Sequence, residues 1–293
     1  MFFRSSKFIP VALLASLLLI LSQLPQLITA VRPLSHQGQV QTQLYLPATA
    51  SPGNPAPLLV FLGGSEGGMS MTNSRSTQER QQYLDAGFAL LVIGYFGLPG
   101  TPTGLDRIEL SGIIEAINNT TKKPAIKAEK LAVIGVSKGA ELALVLASQF
   151  HQFSTVISVV GSDVVFGSPE WYSTSSSWSW QQQPLAFVPF TMKSAAALMQ
   201  GDYRRGHEIA MQDQERYQQA KIPVEQMKAD VLFISGTADE LWPSSEMSDR
   251  MMSRLQQHHY KFRSQHLKVS GAGHGGLGRI YQQDIITFIQ QSH

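Results

Sequence analysis

The sequence predicts an α/β protein, with a mostly parallel, doubly wound sheet and helices on both of its faces. Three observations carry that expectation. Short apolar runs with the character of buried strands alternate with helix-length segments along the 293 residues, the pattern of repeated strand–helix–strand crossovers. The run Lys130-Leu131-Ala132-Val133-Ile134 enters Gly135-Val136-Ser137-Lys138-Gly139-Ala140 and continues as Glu141-Leu142-Ala143-Leu144-Val145-Leu146-Ala147, which reads as buried strand, tight turn and strong helix former in succession. Two further apolar runs, Pro57 to Leu62 and Asp230 to Ser235, each end in a glycine-bearing or polar loop. In a parallel sheet such strand ends lie along one edge, where residues distant in sequence meet.

Taken in order, Arg4 and Lys7 precede a nearly continuous apolar stretch from Phe8 to Leu21, and Thr29-Ala30 leads into polar sequence from Arg32. This is the layout of a secretory signal cut after Ala30. An uncleaved N-terminal membrane anchor is the alternative, because Phe8 to Ile28 is long enough to span a bilayer. Either reading puts residues 31–293 on the exported side, periplasmic or secreted, as one domain. A first strand from Gln39 to Leu46 alternates polar and apolar residues, and a Pro- and Gly-bearing loop to Pro57 follows. Strands are then expected at Pro57 to Leu62, Ala89 to Tyr95, Lys130 to Ile134, Ser154 to Val160, from Asp230, and at His266 to Ser270. Helices are expected near Thr77 to Ala86, Leu105 to Asn118, Glu141 to Ala147, Ser244 to Gln257 and Arg279 to Gln290. From about residue 162 to 228 the pattern loosens. Trp171, Tyr172, Trp178, Trp180, Phe187 and Phe190 crowd a Ser-, Gln- and Pro-rich stretch, and polar Gln200 to Lys221 follows. Set between two core strands, this insert is a lid segment whose aromatics either line a ligand pocket or pack it against the body.

Composition narrows the functional classes. A net charge of +2 without basic clusters gives nucleic-acid binding no electrostatic footing. With no Cys, disulfides and lipid attachment through cysteine are excluded. No His or carboxylate cluster has metal-ligand spacing, so neither a metal nor a cofactor is expected.

The chemistry starts at Ser137. Glycines two positions to either side of a serine let strand turn sharply into helix and leave the hydroxyl exposed above the sheet, the arrangement of a nucleophile elbow. A serine hydroxyl must lose its proton to a base as it attacks. The expected chain order is Ser, acid, His. Asp239 stands in the loop after the strand from Asp230, where a carboxylate that orients a histidine belongs. His274 sits in the glycine-dense Gly271-Ala272-Gly273-His274-Gly275-Gly276 after a short strand. Of the chain's eight histidines it alone combines that order with a post-strand loop. Donors for a developing oxyanion are the backbone N–H of Lys138 and one from the loop Gly63-Gly64-Ser65-Glu66-Gly67-Gly68, with Ser65 preferred and Gly64 second. That loop lacks the G-x-x-x-x-G-K-[ST] spacing of a phosphate loop, and Glu66 would repel an anion.

The runs Leu62 to Gly68, Gly135 to Leu142, Ile222-Pro223-Val224-Glu225 and Gly236-Thr237-Ala238-Asp239-Glu240-Leu241-Trp242-Pro243-Ser244 resemble the C-terminal catalytic domain shared by acyl-CoA thioesterases and bile acid-CoA:amino acid N-acyltransferase, over roughly residues 55 to 285. The resemblance implies an α/β-hydrolase fold related to dienelactone hydrolase and a Ser137–Asp239–His274 triad. It implies a small-molecule acyl thioester or ester substrate, cleaved through an acyl-enzyme. Serine in place of the cysteine of the amino-acid acyltransferases favours hydrolysis over transfer. No polybasic element stands out to bind the phosphates of coenzyme A; Arg204, Arg205 and Lys193 in the insert are the candidate contributors. The alternatives are an exported carboxylesterase of the dienelactone-hydrolase type and a non-catalytic hydrolase-fold binding protein.

Overall fold

The computed structural model describes residues 34–170 and 173–292; the segment of residues 1–30 read as a signal or anchor, and Trp171 and Tyr172 of the insert, lie outside them. Seven strands form the main sheet: β1 (Gln41–Tyr45), β2 (Ala56–Leu62), β3 (Ala89–Gly94), β5 (Ile126–Val136), β6 (Thr155–Val159), β9 (Asp230–Gly236) and β10 (Ser264–Val269), in the order β1-β3-β2-β5-β6-β9-β10. Only the β1–β3 pair is antiparallel. The inner strands β2, β3, β6 and β9 are largely apolar because both faces are covered, whereas the edge strand β10 is polar and part-exposed. Successive residues serve opposite sides. Leu58, Val60, Leu62, Leu131, Val133, Val231 and Phe233 join one core cluster, while Leu59, Phe61, Ala132, Ile134, Leu232 and Ile234 join the other.

The first cluster is roofed by α2 (Leu110–Thr121), α3 (Lys138–Gln149) and α7 (Ser244–Gln257), and the second by α1 (Thr77–Asp85), α8 (Leu277–Ile280) and α9 (Gln282–Ser292). Among the described residues no helix is long and apolar enough to cross a membrane. The C-terminal helix expected from Arg279 starts instead at Leu277 and is interrupted at Tyr281. The helix expected from Leu105 begins only at Leu110. Ile108–Glu109, within that expected helix, form strand β4, which pairs with β7 (Trp178–Trp180) of the insert, and β8 (Gln183–Pro184) completes a small sheet. The Glu109 carboxylate holds this junction by accepting from Ser179 Oγ and the Gln181 and Gln182 N–H groups. Pairing with residues some 70 positions away thus overrides the local helical pattern.

The rest of the insert is more ordered than its composition suggests. Three helices, α4 (Met192–Met199), α5 (Tyr203–Ala210) and α6 (Gln214–Ala220), start at Thr191, Asp202 and Asp213, each of which caps with its side-chain oxygen the N–H three residues on. The described aromatics pack this segment against the body. Trp178 is fully buried in the first cluster, Trp180 and Phe187 lean on it, and Phe190 packs with Phe166, Tyr217 and Trp242 in a third cluster.

Candidate active site

The turn after β5 is built by steric necessity. Ser137 has φ 57° and ψ −121°, a conformation costly for a residue with a side chain. A Cβ at Gly135 would lie 2.0 Å from the Gly139 carbonyl oxygen, and one at Gly139 would lie 2.3 Å from the carbonyl oxygens of Leu62 and Gly63. Both glycines are therefore required for the turn to close and for the end of β2 to lie against the start of α3. The Ser137 N–H donates to the Val159 carbonyl at 2.9 Å, tying the strained residue to β6.

The three residues expected from the sequence meet above the sheet edge. His274 Nε2 is 2.9 Å from Ser137 Oγ, and His274 Nδ1 is 2.9 Å from both carboxylate oxygens of Asp239. Asp239 is buried and richly solvated by protein: Oδ1 accepts from the N–H groups of Leu241 (3.0 Å) and Trp242 (3.3 Å), and Oδ2 from Ser244 Oγ at 2.5 Å. Burial pushes this carboxyl up, but the hydrogen bond and charge of His274, with Ser244 and the Leu241 N–H, outweigh it and hold it below its ordinary value. An ionised carboxylate at that place selects the tautomer with its proton on Nδ1, so Nε2 faces the serine as an acceptor. Trp242 walls the imidazole edge-on at 5.5 Å between ring centres, and its own Nε1–H is used by the Val160 carbonyl at 2.9 Å.

The glycine-rich loop after β2 lies alongside. A Cβ at Gly64 would stand 3.2 Å from that of Ser137, so the loop needs its glycine to come this close. The Gly64 N–H donates to Glu66 Oε1 at 3.1 Å, and the Gly63 carbonyl accepts from the Tyr95 hydroxyl. Among the described residues no hydrogen bond occupies the N–H of Ser65 or of Lys138, the pair expected to meet an oxyanion. Glu66 therefore serves the loop's own backbone.

Several participants carry no clear sequence signal. Lys138 and Glu141 are both buried. Lys138 Nζ donates to Glu141 Oε1 at 2.5 Å, and Trp178 Nε1 donates to the same oxygen at 2.7 Å. Their i, i+3 spacing in an otherwise apolar helix is the one feature that could have disclosed the pair. Glu240 reaches across to accept the His274 backbone N–H at 2.9 Å. Arg204, expected to be a free cation of the insert, is instead consumed: Nε binds Glu208 at 3.0 Å, Nη2 binds Glu246 at 2.7 Å, and Nη1 donates to the Asp239 carbonyl at 3.1 Å. His207 stands edge-on among Phe166, Phe190 and Trp242 at 4.7 to 5.4 Å between ring centres, and burial pushes its pKa down to about 4.

A second Ser–His–Asp chain links Ser235 Oγ to His266 Nε2 at 2.6 Å and His266 Nδ1 to Asp249 at 3.1 Å. Ser235 is fully buried within the sheet, so this chain is closed to any substrate. Among the described residues no group of three or more His, Asp or Glu side chains could hold a metal ion.

Residues 108–275 match the family model described as the C-terminal domain of BAAT and acyl-CoA thioester hydrolases. Acyl-coenzyme A amino acid N-acyltransferase 1 of Mus musculus is 29% identical over 242 residues, 81% of this chain and 52% of that protein. Acyl-coenzyme A thioesterase 1 of Mus musculus is 27% identical over 239 residues, with the same coverage. The chain thus spans about half the length of the curated relatives it matches. Among solved structures, a puromycin-hydrolyzing peptidase of Mycobacterium tuberculosis superposes with a TM-score of 0.60 at 19% identity, covering 86% of this chain and 38% of the other. A putative dienelactone hydrolase from Klebsiella pneumoniae gives 0.54 at 11%, covering 86% of this chain and 99% of the other. At such identities these two establish the fold alone, which is that of α/β-hydrolases.

Proposed function

From the premise that this chain belongs to the BAAT / acyl-CoA thioester hydrolase C-terminal family, we propose that it is a serine hydrolase that cleaves an acyl thioester or ester through a Ser137–His274–Asp239 triad. The observation that carries the reading is the unbroken chain of 2.9 Å contacts from Asp239 through His274 to a strained Ser137. Ser137 Oγ attacks the acyl carbonyl carbon while His274 Nε2 takes its proton. The carbonyl oxygen becomes an oxyanion that the Ser65 and Lys138 N–H groups receive. The C–S or C–O bond then breaks, and His274 returns the proton to the leaving thiol or alcohol. An acyl-serine remains. Water, deprotonated by His274, attacks it, and the serine recovers its proton as the carboxylic acid departs. Asp239 stays ionised throughout and supports the transient imidazolium.

A carboxylesterase with a small alcohol leaving group is the second reading, favoured by one observation. Arg204 is committed to two carboxylates and a backbone carbonyl, so of the three insert residues named for the coenzyme A phosphates only Lys193 and Arg205 remain, the latter 3.8 Å from Glu208. In this reading residues 31–293 form one catalytic domain with the insert of about 162–228, and residues 1–30 export it or anchor it at a membrane. N-terminal sequencing of the protein from its native host reads that last point.

The test is hydrolysis of an acyl-CoA and an oxyester of matched chain length by the full chain, with Ser137→Ala as the blank. Turnover that falls by about four to six orders of magnitude in the variant supports the serine mechanism. Equal hydrolysis by both proteins removes it, and the ratio of the two substrates decides between the readings.

A further inference from the structure

Asp239 is the member of the proposed triad whose backbone carbonyl accepts a hydrogen bond from the insert. It stands in a buried turn between β9 and α7, where the Leu241 and Trp242 N–H groups and Ser244 Oγ hold its carboxylate, while the turn's backbone is tied to other parts of the chain. Two groups grip this turn from opposite sides. On one side the Glu240 carboxylate accepts the His274 N–H, joining the acid loop to the histidine loop; Gly273 leaves room for that contact, since a Cβ there would meet Glu240 Oε2 at 2.7 Å. On the other side is α5 of the insert. The Arg204 backbone N–H donates to the Glu240 carbonyl at 3.1 Å, and its Nη1 donates to the Asp239 carbonyl at 3.1 Å. The same guanidinium is held by Glu208 Oε1 one turn along α5 and by Glu246 Oε1 in the first turn of α7.

All three guanidinium nitrogens of Arg204 are thus spoken for, by its own helix, by α7 and by the acid loop, in the planar fork that only a guanidinium provides. Its side chain is partly sheltered, at 27% exposure, so these charge-assisted bonds are screened less than open surface pairs.

We propose that Arg204 is a positioning residue that latches the insert onto the acid loop and holds Asp239 in register with His274. The inference rests on the proposed role of the triad. It makes the insert part of the catalytic frame: α5 must be docked for the Asp239 carboxylate to face the imidazole squarely. Arg204 touches no reacting atom. Its loss acts through a displacement of Asp239, and a shift of about 1 Å in such a group can cost about 100-fold in turnover.

The experiment compares the full chain with Arg204→Met, Arg204→Lys, Asp239→Asn and the Arg204→Met/Asp239→Asn double variant. Two readouts are taken: the downfield proton signal of the His274 Nδ1–H···Asp239 hydrogen bond, and steady-state hydrolysis of the better of the two matched substrates. The expected result for Arg204→Met is a broadened or displaced Nδ1 proton, with kcat down by about 10- to 100-fold and KM changed less than about threefold. Arg204→Lys keeps the charge, loses the fork and recovers only part of kcat. In the Asp239→Asn background Arg204→Met costs nothing further, because its effect passes through the residue already removed. An Nδ1 proton unchanged in Arg204→Met overturns the latch, whatever the turnover. Full multiplication of the two kinetic losses overturns it as well, by showing that Arg204 acts elsewhere. Failure of the triad itself reads differently: turnover insensitive to Ser137→Ala, with the proton signal still responding to Arg204.

Discussion

Glu141→Leu should be among the most destabilising single substitutions in this chain, and the double Lys138→Met/Glu141→Leu should recover most of that loss. Glu141 is 0% and Lys138 4% exposed. Burial raises the Glu141 pKa and lowers that of Lys138, in each case as the largest influence, ahead of the attraction and hydrogen bond between them. Both shifts run against the charged forms. Burial opposes both charges, and a buried pair of this kind characteristically gives no net stability over apolar side chains of similar volume. Removing the carboxylate alone is another matter. It strands an ammonium whose remaining contacts are the Phe166 carbonyl at 3.5 Å and the Trp178 ring at 5.3 Å, and it orphans the Trp178 Nε1–H. Leaving one partner of a buried pair costs about 3–5 kcal/mol, which in a chain of this size lowers the melting temperature by about 6–20 °C. The double variant removes both charges and is left with the orphaned Trp178 Nε1–H, so it should stay within about 1–2 kcal/mol of the parent. Urea unfolding of the parent, the two single variants and the double, read by Trp fluorescence, closes the thermodynamic cycle. A Glu141→Leu protein as stable as the parent, or a double variant as damaged as Glu141→Leu, refutes the reasoning.

Three more expectations follow from the site. Gly139→Ala drives a methyl into the Leu62 and Gly63 carbonyls and should displace the glycine-rich loop, lowering kcat far more than it raises KM for whichever ester is hydrolysed. Asp239 has a depressed folded pKa, so its stabilisation is complete above its unfolded value of about 4 and is lost as pH falls through the lower folded value. Asp239→Asn should accordingly flatten the acid limb of the stability curve, as acid titration followed by circular dichroism would register. His207 has the opposite proton balance from a histidine paired with an acid. Its folded pKa of about 4 lies below its ordinary value, so the unfolded chain binds the extra proton between about pH 6.5 and 4 and stability declines as pH drops through that window. His207→Phe should remove that part of the slope, and an unchanged slope in denaturant titrations would place the charge burden elsewhere.

Much of this was legible in the residue order because it depends on short-range rules. Apolar strand runs such as Leu58–Leu62 and Val231–Ile234 must be covered on both faces, which implies a parallel sheet. The Gly135–Gly139 spacing is demanded by a turn whose clashes are all local or with the adjoining strand. Ser137, Asp239 and His274 each follow a strand, and parallel strands deliver their ends to one edge; their meeting is a consequence of topology rather than of coincidence.

Other features depended on contacts with no period and no fixed separation. Whether Leu105–Glu109 would be helix was decided by Trp178–Ser179 offering Ile108–Glu109 a strand partner. Whether Lys138 would face solvent was decided by Trp178 and Phe166 closing over the start of α3. Arg204 read as a loose cation in a polar stretch; only the docking of α5 beside Asp239 and Glu246 brought its three partners within reach. The sequence by itself determined the layers, the turn and the three residues at the strand ends, because backbone sterics and apolar periodicity act over a few residues. The insert's pairing, the buried ion pair and the grip on the acid loop belong to the tertiary structure, because side chains about 35 to 70 residues apart acquire partners only when the chain has already folded around them.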